Sequence, residues 1–330
     1  MEFQVKPEIA LGQIDRALAN GVRVAAWTFD ELYGRDGKFL DGLESREQIF
    51  VAEVPADFHG WVREPKILQE GLENTGPGRP KRYPRLAAGY HSSEVRNLAK
   101  YSPVFRQQAW QRYRIKDSQK GPEVWEIKWA VFWRKDRDGF PGRRHTLIVA
   151  RNVLSGEMKY FVANRVPGED GVTLEWLLWV AFGRWPVERC FRETKNELGM
   201  DHFEVRGWRC VHRHYYITQL SQLFCARVRQ QYEQEEGDTE KRLTIEQVRG
   251  AACAYLEAAN LTPTARRDRY QQELDKIDYH QCRNRQACKS HTKTRRERLL
   301  QRMFPLEGPG VTRCKSRWFN EFCGGRGVSF

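Results

Sequence analysis

The sequence predicts a mixed α/β protein. Three observations carry that prediction: apolar runs of strand length alternate with helical patterns near the N-terminus, a stretch of period-two alternation fills the middle, and helical spacing returns in the second half.

Pro7 suits the first turn of a helix, PEIALGQIDRALAN, in which Ala10, Ile14, Ala17 and Leu18 share a face and Gly21 stops the run. VRVAAWTF (22–29) reads as a buried strand of a parallel sheet and ends at Asp30. DGKFLDGLESR is helical in pattern, and QIFVAEV (48–54) is a second buried strand. Residues 63–104 are mostly connective, with ENTGPGRPKRYPR (73–85) an exposed loop rich in glycine, proline and base.

Period two then takes over. In EVWEIKWAVFWRK, Trp125, Ile127, Trp129, Val131 and Trp133 form one apolar face. DRDGFPG turns, RHTLIVARNV is a strand, LSG turns, and EMKYFVANR is a third strand. Upstream, WQRYRIK puts Arg112, Arg114 and Lys116 on one strand face, so 110–165 reads as an antiparallel meander with a basic flank.

Helix returns at TLEWLLWVAF, capped by Thr173. Pro186 suits the first turn of PVERCFRETKNEL, which Gly199 can end. WRCVHRHYYITQLSQLFCARVRQQY is a long helix, EQEEGDTEK a charged linker, and LTIEQVRGAACAYLEAAN an amphipathic helix capped near Thr244. From Arg266 to Arg302 twelve Lys/Arg face five Asp/Glu, a local +7.

Among its 330 residues the chain has 56 Lys/Arg and 43 Asp/Glu, a net charge of +13. That excess fits a polyanionic partner such as nucleic acid. Eleven tryptophans and 12% aromatic residues exclude a disordered basic tail. The start, MEFQVKPEIALGQ, has no signal-peptide pattern, and VAAWTF and LLWVAF are too short to cross a bilayer. The expectation is a cytoplasmic, nucleoid-associated protein with no membrane contact. The eight cysteines, all from Cys190 onward, fit reduced thiols.

Two constellations bear on chemistry. Asp30 ends an apolar strand and opens the turn DELYGRDG. The carboxyl ends of such strands are where ligands bind in open α/β sheets, and one carboxylate there can hold Mg²⁺ beside substrate phosphates. A plain helix or turn cap is the competing role. In RWPVERCFRETK, Arg184, Glu188, Phe191 and Lys195 are spaced four, three and four, one stripe on a continuous helix. Surface ion pairing explains that stripe cheaply. The apolar Trp185, Val187 and Phe191 around Glu188 suggest instead a partly buried carboxylate that needs a metal or a base to stay charged.

Together DELYG and R-WPV-E-RCFRET-K resemble the D-x-x-Y-G and Y-(2)-R-(3)-E-(6)-K signatures of DDE-type transposases of the insertion sequence 4 group. ELGMDHFEVRGW with RHYYITQLSQLF is similar to the segment that follows the catalytic glutamate there. The signature tyrosine falls on Ala181, beside Phe182. The resemblance implies a ribonuclease H-like mixed sheet interrupted by an antiparallel β insertion, followed by a helical basic C-terminal region. It implies Asp30 and Glu188 as catalytic, metal-holding carboxylates, Mg²⁺ or Mn²⁺ as cofactor, and Arg184 and Lys195 as contacts to DNA phosphates. As partners the resemblance implies double-stranded DNA at transposon ends and, besides it, a second copy of the chain (a homodimer) or a full-length transposase.

The boundaries so implied are a partial core at 1–62, an insertion at 63–170, the catalytic helix at 171–232 and the basic region at 233–330. The family's first aspartate has no counterpart, because Glu2, Glu8 and Asp15 end no apolar strand. The expectation is therefore a chain that lacks the first strands and that aspartate, and that cleaves DNA poorly or not at all. Two further functions compete with this one: a non-catalytic DNA-binding remnant, and a zinc protein using His280, Cys282, Cys288 and His291. The bases expected on DNA are Arg112, Arg114, Lys116, Arg295 and Arg296 besides Arg184 and Lys195. His212 and His214 are expected to pack or hydrogen-bond.

Overall fold

The computed structural model describes residues 3–68, 83–169, 171–236 and 243–303. Glu2, most of the 73–85 loop, part of the charged linker and everything after Met303 lie outside the described residues.

In chain order the elements are α1 (Lys6–Ala19), β1 (Trp27–Phe29), α2 (Glu31–Gly34), α3 (Gly37–Glu44), β2 (Phe50–Val54), β3 (His59–Trp61), β4 (Ile67–Leu68), β5 (Arg85–Leu86) and β6 (Ser93–Glu94). They continue with α4 (Val95–Tyr101), α5 (Pro103–Arg106), β7 (Gln111–Ser118), β8 (Gly121–Lys135), β9 (Pro141–Asn152) and β10 (Met158–Ala163). The last are α6 (Leu174–Phe182), α7 (Trp185–Leu198), α8 (Trp208–Glu236), α9 (Ile245–Ala258) and α10 (Pro263–Met303). They form two compact units, one of residues 1–118, 122–184 and 296–330, the other of 119–121 and 185–295.

The first unit is built on one sheet with strand order β1-β2-β10-β9-β8-β3-β6, and β7 also pairs with β8. β1 and β2 are parallel, with Thr28 beside Val51. The expected meander forms: β8, β9 and β10 are consecutive antiparallel neighbours. It is continuous with the N-terminal strands, because β10 also pairs antiparallel with β2, Val162 beside Ala52. The sequence set these strands apart as an insertion; their edge hydrogen bonds join them into a single mixed sheet. The first strand is also shorter than its apolar run, three residues instead of eight. Gly21 to Ala26 has little to pair with, since β2 reaches back only to Phe50 opposite Trp27.

Both faces of this sheet are covered. On one, Val51, Ile127, Ile148 and Phe161 pack under Leu174, Leu177 and Leu178 of α6. On the other, Phe132, Leu147 and Val162 pack with Val95 and Phe105, and Phe50 and Ala52 pack with Ile14, Phe39 and Leu40. The alternation in β8 suggested one dry face, yet from Lys128 to Arg134, where Trp129, Val131 and Trp133 are half-buried, it is the opposite face that is buried. There Lys128 donates to the carbonyl of Phe105 (2.6 Å) and lies 4.8 Å from the Trp110 ring centroid. Arg134, 2% exposed, donates to Asp41, Asp136 and the carbonyl of Gly37. Two long cations are thus accommodated in a helix-covered sheet because each ends on an oxygen.

The second unit is helical. Cys225, Ile245 and Val248 form its buried centre, with Leu198 and Val228 packed around them. Thr244 caps α9 as expected, in a capping box with Gln247. Burial raises the Cys225 thiol above its ordinary value.

Candidate functional site

Asp30 follows the last residue of β1 and is the N-cap of α2; its Oδ1 accepts the backbone N–H of Leu32 at 3.1 Å. The capping role weighed from the sequence is therefore present. It uses one oxygen, and among the described residues no hydrogen bond reaches Oδ2. The Asp30 carbonyl accepts Gly34 N–H at 2.9 Å, which closes the turn.

The rest of DELYG is explained by packing. Tyr33 lies against Phe29 and Phe39, with ring centroids 5.8 and 5.2 Å away. Gly34 presses on β2, where an added Cβ would stand 1.9 Å from the carbonyl oxygen of Glu53. Asp36 then caps α3 through Lys38 and Phe39 N–H. Each motif residue therefore helps fix the chain direction just after the strand end that presents Asp30.

Beside this turn lies an open cleft of ≈ 910 Å³, lined among others by Arg35, Asp36, Asp41, Asp57, Arg134 and Asp136. No pattern in the sequence announced it, because its walls come from four separate segments of the chain: the start of α1, the α2–α3 region, the β2–β3 connection and the end of β8 with the turn after it. A second buried pair was equally hidden. Glu44, at the end of α3, faces His145 of β9, whose Nε2 is 2.6 Å from Oε1. The other ring nitrogen, Nδ1, faces the Arg143 carbonyl at 2.7 Å. Burial opposes the Glu44 charge, but the His145 hydrogen bond and the charges of His145, Arg134 and Arg143 outweigh it and lower the carboxyl's pKa.

In the second unit Glu188, Phe191 and Lys195 share a stripe on α7, as their spacing required. Arg184 belongs to the turn before the helix. The expected burial of Glu188 is not found. The residue is exposed, and Trp185, Val187 and Phe191 are themselves about half exposed, so they provide no apolar pocket. The buried residue of α7 is Thr194, whose hydroxyl donates to the Cys190 carbonyl. Arg192 covers Trp185 and Arg189 pairs with Glu193 at 2.6 Å. Downstream, His214 Nε2 lies 2.8 Å from the Gly199 carbonyl, and the His212 ring packs tilted against Trp208 with centroids 4.1 Å apart, so the two hydrogen-bond or pack as expected.

The three bases of β7 do lie along one strand edge, and each meets a carboxylate: Arg112 with Glu126 (3.3 Å), Arg114 with Asp117, and Lys116 with Glu123 (3.7 Å). Arg151 adds a second contact to Glu126 at 2.6 Å. Arg296 is exposed on α10, whereas Arg295 is half-buried and its Nε meets no hydrogen-bond acceptor among the described residues. His280, Cys282, Cys288 and His291 all stand on α10. On a straight helix neighbours two residues apart point about 200° apart, so these four cannot converge on a tetrahedral ion.

Of the acids before Asp30, Glu8 accepts the Val5 N–H in the cap of α1, and Asp15 pairs with Arg46 at 2.6 Å. Both sit on a helix, and neither is at a strand end. The described residues contain no group of three or more His, Cys, Asp or Glu placed to hold a metal.

Residues 1–122 match the family model of the DDE superfamily endonucleases. The DDE match spans Asp30 and the whole DELYG turn, and ends before Glu188. It supports a DDE-type nuclease or transposase family. No curated protein matches the chain. Asp30 on its own offers a single carboxylate, whereas Mg²⁺ binds through one or two carboxylates and completes its shell with water and phosphate oxygens.

Proposed function

We propose that the chain acts on double-stranded DNA as part of a DDE-type transposase of the insertion sequence 4 kind, with Asp30 and Glu188 as two of its metal-holding carboxylates. The observation that carries this reading is Asp30. It ends a strand of a parallel pair, is fixed by its own cap, keeps one carboxylate oxygen without a hydrogen bond among the described residues, and lies inside the DDE match.

The chemistry is phosphodiester cleavage and strand transfer. A divalent ion, when bound, activates the attacking oxygen and stabilises the leaving one. The protein's share is positional. The Leu32 N–H holds the Asp30 carboxylate in one orientation, and Gly34 lets the turn sit flat on β2. Lys195, exposed two turns along the same stripe from Glu188, offers a charged donor to a phosphate oxygen. Arg184, in the turn before α7, serves the same purpose.

A third carboxylate is part of the family chemistry, and Glu8 and Asp15 are engaged elsewhere. This favours a second reading, a DNA-binding chain that cleaves only when another polypeptide, such as a full-length transposase, completes the site. Incubation of supercoiled plasmid with the purified chain and Mg²⁺ or Mn²⁺ separates the two. Metal-dependent nicking that disappears in both Asp30→Asn and Glu188→Gln supports the catalytic reading. DNA binding without nicking supports the second. Nicking untouched by either substitution overturns the assignment of both carboxylates.

A further inference from the structure

α10 is one uninterrupted helix of 41 residues whose two halves differ in charge. Residues 263–278 hold four Lys/Arg and four Asp/Glu; residues 279–303 hold eight Lys/Arg and one acid, Glu297. Within the basic half, Arg285, Lys289 and Lys293 follow one another at four-residue steps, so they lie within about 80° of arc on one face. All three are exposed, and among the described residues no ion pair reaches any of them. Traced toward the N-terminus the same face carries Asp278 and Asp275, so the charge changes sign along a single stripe.

In isolation this arrangement is unfavourable. Like charges four residues apart destabilise a helix by a few tenths of a kcal/mol per pair. The first half of α10 does the opposite: Arg269 lies between Glu257 and Glu273 at 2.9 and 3.2 Å, and Lys276 reaches Glu273. A partner with regularly spaced negative charge removes the repulsion. Three bases on consecutive turns cover about 12 Å of helix, a length along which one strand of a duplex presents roughly four phosphates. A lipid surface fits less well. The side chains around the stripe, Gln281, Cys282, Cys288 and Thr292, are small or polar and supply no apolar wedge to enter a bilayer.

We infer that Arg285, Lys289 and Lys293 form a backbone-gripping surface for duplex DNA that makes no base contacts. This deepens the proposed action on DNA and rests on it for the choice of partner. It needs neither metal nor Asp30 nor Glu188, so the two ideas fail separately.

The test is fluorescence anisotropy of a labelled duplex with the full chain in EDTA, titrated at several salt concentrations. Neutralising three phosphate contacts in Arg285→Gln/Lys289→Gln/Lys293→Gln should lower the slope of log K against log salt by about 2.7. The wild-type chain should then lose ~40-fold more affinity than the variant between 50 and 200 mM salt, whatever the duplex sequence. Arg63→Gln/Arg106→Gln/Arg137→Gln removes the same net charge from exposed sites of the first unit and should change the slope by less than half as much. Circular dichroism checks that both variants stay folded. Equal slopes in the two variants overturn the proposal in favour of diffuse net charge. An unchanged DNA slope, with or without loss of binding to vesicles of phosphatidylserine and phosphatidylcholine, overturns it too; loss of vesicle binding would assign the stripe to a membrane surface.

Discussion

The carbonyl oxygen of Glu53 stands where a side chain on Gly34 would begin: an added Cβ would be 1.9 Å away. Glu53 is the fourth of the five residues of β2 and is paired with Phe161 of β10, so this oxygen cannot retreat without disturbing the sheet. Gly34→Ala should therefore push α2 off the strand. We expect a loss at or above the about 1–3 kcal/mol seen for overpacked sites, read as a lower urea midpoint. Because Asp30 caps α2, metal-dependent nicking should fall with it.

The two roles of Asp30 can be separated. Asparagine caps a helix about as well as aspartate, whereas alanine forfeits about 1 kcal/mol. Asp30→Asn should keep the urea midpoint of the wild-type chain and Asp30→Ala should lower it. Both should abolish any Mg²⁺-dependent cleavage. Full cleavage in Asp30→Asn would leave capping as the residue's only role.

Glu188 is exposed on α7, so its removal should be nearly neutral for folding, within about 0.5 kcal/mol. Glu188→Gln should unfold at the wild-type urea concentration while losing nicking in a complemented reaction with full-length transposase. A large stability loss would instead mark Glu188 as a structural ion-pair partner.

The buried Glu44–His145 contact predicts a pH dependence. The folded environment lowers the Glu44 pKa below its ordinary value of 4.5. The stability it contributes is therefore complete above pH 4.5 and is lost as pH falls through the lower folded value. Urea midpoints should drop on acidification below 4.5, and Glu44→Gln should flatten that part of the curve. At neutral pH, Glu44→Ala leaves the buried His145 Nε2 without its partner and should cost about 1–3 kcal/mol, read as a lower urea midpoint.

Local pattern made much of this fold legible. Period two located β8, β9 and β10, the stop at Asp30 located the turn, and Thr173, Thr244 and Gly199 marked helix ends where they occur. The spacing of Glu188, Phe191 and Lys195 put them on one stripe because 3.6 residues per turn leaves no other result. The stripe of Arg285, Lys289 and Lys293 was open to the same arithmetic.

What the sequence by itself determined, then, is the set of elements and the chemistry each can present: a carboxylate after a strand, an acid and a base on a helix, a basic second half of α10. Tertiary structure alone decided how those offers are met. Glu188 is exposed although apolar residues flank it in sequence, because α7 turns them all outward. Lys128 and Arg134 are buried although strand alternation puts them on the polar face, because α4 and α5 bring Phe105 against one and α3 brings Gly37 and Asp41 to the other. His145 meets Glu44 across 101 residues. Periodicity reports which way a side chain points from its own backbone; which group waits there depends on long-range packing, which no local spacing encodes.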